Sequence, residues 1–160
     1  MKLKKIILTH TAIVATSIVI SKMTKPRAGE SKELHGIKFN IHRGPLDGFN
    51  MVAETTGVHF GEVSVYTDCL FDMLPKDMQE ACLMHEAGHV LCKGGTPETT
   101  DDYQRYALQR QMYICPREEK VADKFSYEHC GKATLKLVAT LGLLNPIEAV
   151  QRVVSLIVNH

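Results

Sequence analysis

The sequence predicts an α+β domain, with a small sheet of about three strands followed by a helix bearing H-E-x-x-H and then further helices. Three observations predict it. Ile37, Phe39 and Ile41 alternate with Lys38 and Asn40, the two-residue period of a half-buried strand, and residues 49–53 and 58–66 have similar character. Beyond Tyr66 the pattern becomes helical, punctuated by Pro75, Gly94-Gly95, Pro116, Gly131 and Pro146. The chain has 160 residues, 44% of them hydrophobic and 23% charged, which fits one globular domain and argues against wholesale disorder.

Taken in order, Lys2, Lys4 and Lys5 precede an apolar run over residues 6–20, interrupted by His10 and three threonines. Its 15 residues fall short of the roughly 20 that a helix needs to cross a bilayer core. The run fits the apolar region of a secretory signal, with cleavage positions at Val19 and Ser21 or at Ala15 and Ser17, or a short anchor with flanking lysines at the interface. A buried segment of a soluble protein is the bland alternative. Residues 1–21 are thus expected to anchor the chain to a membrane or direct its export to a periplasmic or extracellular space. Residues 22–36, charged and with Pro26 and Gly29, read as a linker, and residues 37–160 as the folded domain.

Within that domain, His42-Arg43-Gly44-Pro45 with Asp47-Gly48 marks a loop, and Thr55-Thr56-Gly57 joins the second and third strands. Gly61 suggests a bulge in the third. Pro75 opens a helix reaching about Cys92, with Asp77 in its first turn and Gly94-Gly95 as its stop. Thr100, with Asp101 and Asp102, caps a second helix over 100–113. A third runs from Arg117 to Gly131, a fourth over 132–141 and a fifth over 146–158. The last two are rich in Leu, Val and Ile and are expected to supply core packing.

Composition excludes some functions. A net charge of +1 leaves nothing to hold a phosphate backbone, and the absence of Trp removes a base-stacking platform, so no nucleic-acid partner is expected. Five cysteines without a C-x-x-C pair disfavour a zinc ribbon or a dithiol redox site. In an exported chain they permit one or two disulfides; in the cytosol they are small buried hydrophobes.

The chemistry sits at His85-Glu86-Ala87-Gly88-His89. Residues four apart lie one turn apart on a helix, so both imidazoles can face one ion. Zinc accepts imidazole nitrogen and, with three protein ligands, keeps a fourth position open. Glu86 is offset by about 100° from His85, which places it beside the ion, where a carboxylate takes a proton from an attacking water and passes it to a leaving amine. With eight His and eleven Glu in this chain, random order yields only about 0.03 such motifs. Downstream, Glu119 and Asp123 stand four apart in E-x-x-A-D on the predicted third helix. Glu119 completes a two-His, one-Glu site, with Glu118 as competitor. Asp123 reaches the free ring nitrogen of a ligand histidine or forms a salt bridge with a lysine one turn away.

These motifs resemble those of the gluzincin-type zinc metallopeptidases, in which H-E-x-x-H on one helix is joined by the Glu of E-x-x-x-D on a later one. The short spacing from His89 to Glu119 is most similar to the small ImmA/IrrE-type peptidase domains, over residues 63–126. More distantly, larger membrane-bound peptidases share both motifs. The resemblance implies a zincin-like fold, a Zn2+ site at His85, His89 and Glu119, Glu86 as catalytic base, and hydrolysis of a peptide or protein substrate. It also suggests that the strand at 63–66 holds an extended peptide by strand addition. The apolar N-terminus departs from that family, whose members are typically soluble.

Other residues carry competing expectations. His129, Tyr127, Tyr113 and Tyr103 are candidates for stabilising a developing oxyanion. Cys82 and Cys92, three residues outside each histidine, are soft ligands or core residues. A non-catalytic regulatory or binding protein with a structural zinc site is the rival to the enzyme reading.

Overall fold

The computed structural model describes residues 27–44, 52–112, 114–141 and 146–158. Among them, four strands form one mixed sheet: β1 (Arg27–Leu34), β2 (Ile37–Arg43), β3 (Ala53–His59) and β4 (Glu62–Thr67), in the order β1-β2-β4-β3. Six helices follow: α1 (Cys69–Met73), α2 (Lys76–Leu91), α3 (Thr100–Gln111), α4 (Arg117–Cys130), α5 (Lys132–Leu141) and α6 (Pro146–Val158). The α+β class expected from the sequence is the class observed.

The sheet has one strand more than the expected three, and the extra strand lies in the expected linker. β1 pairs antiparallel with β2 through a two-residue turn at His35-Gly36, where both φ angles are positive, 50° and 78°. Positive φ at both central residues gives a hairpin the twist of its strands. Between Gly29 and Leu34, β1 is exposed or half-exposed along its length, so it lacks the apolar alternation that marks a strand in sequence.

The stretch 58–66 also departs from expectation. Phe60 and Gly61 adopt φ of 53° and 81° and turn the chain between β3 and β4, splitting one expected strand into two. The irregularity expected at Gly61 lies instead between Thr55 and Gly57, inside β3. β4 is therefore central, parallel to β2 and antiparallel to β3, while β1 and β3 form the edges.

The core forms where the sheet meets α2. Phe39, Ile41, Val63 and Val65 pack with Ala81, Leu83, Met84 and Ala87 of α2 and Leu137 of α5. Full burial of each large apolar side chain is worth about 1.5–3 kcal/mol. Burial runs unbroken from Ala81 to Gly88, because α2 has the sheet on one side and α4 and α5 on the others. Pro75 precedes its first turn, and Gly94 at φ 78° turns the chain after it. Thr99, one residue before the expected cap, forms a reciprocal capping box with Asp102 at the start of α3.

Two helices invert the usual amphipathic pattern. α3 has no buried residue, and Tyr103 and Leu108 face solvent while its polar side chains reach inward. α6, expected to pack its apolar residues in the core, exposes Ile147, Val150, Val154 and Ile157 and buries Glu148 and Leu156. Cys82, Cys92, Cys115 and Cys130 are free thiols. Among the described residues no helix is long and apolar enough to cross a membrane; the expected anchor or signal at 1–21 and Tyr113 lie outside them.

Candidate metal centre

His85 and His89 occupy one face of α2, and α4 crosses that helix so that Glu119 and Asp123 meet them. The crossing is close because of Gly88: a Cβ there would stand 2.8 Å from the Ala122 Cα and 3.0 Å from the Ala122 carbonyl oxygen. The small residue inside each motif thus lets the two motif-bearing helices touch. Gly88→Ala gains about 1 kcal/mol of helix propensity but overpacks this contact, at a typical cost of about 1–3 kcal/mol. The expected result is a small change in melting temperature with a roughly tenfold or greater loss of metal affinity, read by thermal melts and metal titration on the same sample.

Both histidines present the same ring nitrogen to the centre. His89 Nδ1 lies 2.6 Å from the Gly95 carbonyl oxygen, which can only accept, so Nδ1 carries the hydrogen. Gly95 reaches this position because it has no side chain; a Cβ would fall 2.7 Å from the His89 carbonyl oxygen. His85 Nδ1 lies 2.9 Å from Asp123 Oδ1, a hydrogen-bond distance, although the carboxylate sits off the axis of the ring N–H. These outer acceptors leave the lone pairs of both Nε2 atoms facing inward.

The inward atoms converge. The two Nε2 atoms are 3.1 Å apart, His85 Nε2 is 3.4 Å from Glu119 Oε2, and His89 Nε2 is 4.0 Å from Glu119 Oε1. All ligand atoms of the triad fall within 4.8 Å of one another. Donors placed 2.0–2.1 Å from a tetrahedral ion are separated by about 3.3 Å, so this set fits such an ion with little movement. These three donor atoms form a group that can hold a cation. Burial disfavours imidazolium at His85, but the neighbouring Asp123 and Glu119 outweigh it and raise its pKa to about 10.

The surrounding charges are arranged in depth. Burial works against an ionised Glu119, yet His85, Arg152 and His89 hold its carboxyl well below the usual range. Burial likewise opposes charge on Asp123, which Arg152 and His85 keep ionised. Tyr106 donates to Glu119 Oε1 at 2.9 Å, and Arg110 Nη1 lies 3.9 Å from the same oxygen and 2.8 Å from Glu148. Glu118 pairs instead with Arg105 at 2.6 Å and stands outside the triad.

Glu86 lies beside the triad and outside it. Its Oε2 accepts the Thr55 backbone N–H at 2.9 Å, which ties α2 to the edge strand β3. Burial raises its pKa, partly offset by the neighbouring His85 and His89.

Several sequence expectations are not brought to this place. His129 and Tyr127 lie ten and eight residues beyond Glu119 on α4, about 15 and 12 Å along its axis. Tyr103 is 61% exposed, and Tyr106 of the same helix reaches the centre instead. Cys82 belongs to the apolar core, where burial pushes its thiol well up. Tyr106, Arg152, the Gly95 carbonyl and the Thr55 amide were not identified from the sequence. Only Gly95 carried a local signal, as the second of two adjacent glycines. Comparison with protein-family models, with curated proteins and with solved structures returns no match.

Proposed function

We propose that this chain is a zinc-dependent endopeptidase in which His85, His89 and Glu119 hold the ion and Glu86 is the general base. The observation that supports it is the convergence of three donor side chains, His85, His89 and Glu119, with a second carboxylate, Glu86, held alongside but left out of the set. Two imidazoles and one carboxylate are a donor set that suits catalytic zinc. When bound, such an ion supplies Lewis-acid polarisation of the scissile carbonyl and a more acidic attacking water.

The chain's own residues supply the rest. Thr55 fixes one oxygen of Glu86, leaving the other to take a proton from the attacking water and return it to the leaving amine. The raised pKa of Glu86 brings it nearer the range in which it can do both. Asp123 and the Gly95 carbonyl hold the two imidazoles in the required tautomer. A peptide substrate is supported by β3, an edge strand of the sheet among the described residues, whose Thr55 amide meets Glu86. The strand expected for that role, residues 63–66, belongs to β4 and has β2 and β3 on its two sides. In this reading residues 1–21 tether the chain to a membrane or export it.

The test is direct. The purified full chain is expected to carry about one zinc ion, to cleave unstructured peptides, to lose that activity to a chelator and to regain it with added Zn2+. A chain that binds no divalent metal overturns the proposal. The low exposure of His85 and Glu119, 8% and 7%, favours a second reading: a regulatory or binding protein with a structural ion. Stoichiometric zinc without any hydrolysis would establish that reading.

A further inference from the structure

We infer that Arg152, on the last helix, is the positioning residue that sets the geometry of His85 and Glu119, which makes α6 part of the metal centre. The inference rests on the metal-binding reading above. Arg152 Nε and Nη2 contact the two oxygens of Asp123 at 2.7 and 2.6 Å, a bidentate fork. Its remaining nitrogen, Nη1, lies 3.6 Å from Glu119 Oε2 and 3.8 Å from Glu148 Oε1. The same Asp123 oxygen that meets Nη2 stands 2.9 Å from His85 Nδ1, and the same Glu119 oxygen that faces Nη1 is the one nearest His85 Nε2. One planar cation therefore grips Asp123 and stands beside Glu119, the two carboxylates that surround His85.

The rest of α6 serves to place this group. Leu156 anchors the helix in the interior, and Gln151 accepts the Cys115 amide at 2.7 Å just before α4 begins. Glu148 meets Arg110 of α3 and Arg152 of its own helix. Ile147, Val150, Val154, Ile157 and Val158 are turned to solvent, so apart from Leu156 the inward face of this helix is chiefly an ion-pair face.

Charge and geometry here act with opposite signs. A guanidinium next to a cation site repels the incoming ion, whereas a fork that holds Asp123 in place, with its third nitrogen beside Glu119, favours it. Arg152→Lys separates the two, because it keeps the charge and loses the bidentate contact. The measurement is competition for Zn2+ alone against a chromophoric chelator, on full-length variants whose far-UV circular dichroism matches the parent.

Arg152→Lys is expected to bind Zn2+ about tenfold more weakly, and Arg152→Met about 10–100-fold more weakly. Val150→Ala, on the solvent face of the same helix, is expected to bind as the parent does. Unchanged affinity in Arg152→Lys, or tighter binding in Arg152→Met, overturns the inference. If Arg152→Met fails to fold, Arg152→Lys decides alone. If the parent binds Zn2+ but cleaves no peptide, the peptidase reading falls while the affinities still decide the role of Arg152. A parent that binds no Zn2+ removes both.

Discussion

Glu86→Gln is expected to lower peptide hydrolysis by about a hundred- to ten-thousand-fold while leaving zinc content, metal affinity and fold intact. The substitution is nearly isosteric, and the glutamine carbonyl oxygen can still accept the Thr55 amide that Glu86 Oε2 now accepts at 2.9 Å. What it removes is the capacity to take up a proton. The triad itself is untouched, since Glu86 is not among the converging donors. Loss of a buried carboxylate whose charged form is disfavoured by burial should cost little stability, so the melting temperature should stay within a few degrees. The decisive measurements are turnover of a fluorogenic peptide and metal content on the same preparation. Turnover equal to that of the parent would remove Glu86 from the chemistry. Loss of metal together with turnover would make its role structural.

The motif half of this centre was legible because it is local. Two pairs of residues four apart, His85 with His89 and Glu119 with Asp123, need only a helix to bring each pair onto one face. That the two helices meet is a property of the fold, permitted by the small residues Gly88 and Ala122, one in each motif. The partners beyond these motifs left little trace, Gly95 of the Gly94-Gly95 pair excepted. Thr55 enters through its backbone amide, which any residue supplies, and the carbonyl acceptor for His89 comes from a loop after the helix.

Arg152 and Tyr106 were missed for a different reason. Pattern reading assumes that apolar residues turn inward, and it placed the valines of α6 in the core. Around a cluster of buried carboxylates the inward-facing groups are cations and hydroxyls: Arg105, Tyr106 and Arg110 from α3 and Arg152 from α6. Apolar residues such as Leu108 and Val154 are consequently left outside. β1 went unread for a related reason, since a mostly exposed edge strand of charged residues has no buried face to impose a period. Phe60 hid a turn because it is a non-glycine residue at positive φ.

Asp123→Asn tests the outer layer and should produce the largest loss of stability. Asp123 is 1% exposed, and both its oxygens bind Arg152, which is itself nearly buried. Neutralising it leaves a guanidinium facing Glu119 and Glu148 only at 3.6 and 3.8 Å. Breaking a buried pair in this way costs about 3–5 kcal/mol, which for a domain of this size lowers the melting temperature by roughly 6–20 °C. The double variant Asp123→Asn, Arg152→Met removes both charges, so its stability loss should be smaller than the sum of the two single losses. Metal affinity should not recover with it, because His85 still lacks the carboxylate that sets its tautomer. Stability restored with affinity still lost would separate the folding role of the ion pair from its role in ligand placement. Additive losses in melting temperature would mean that Asp123 and Arg152 do not act as a pair.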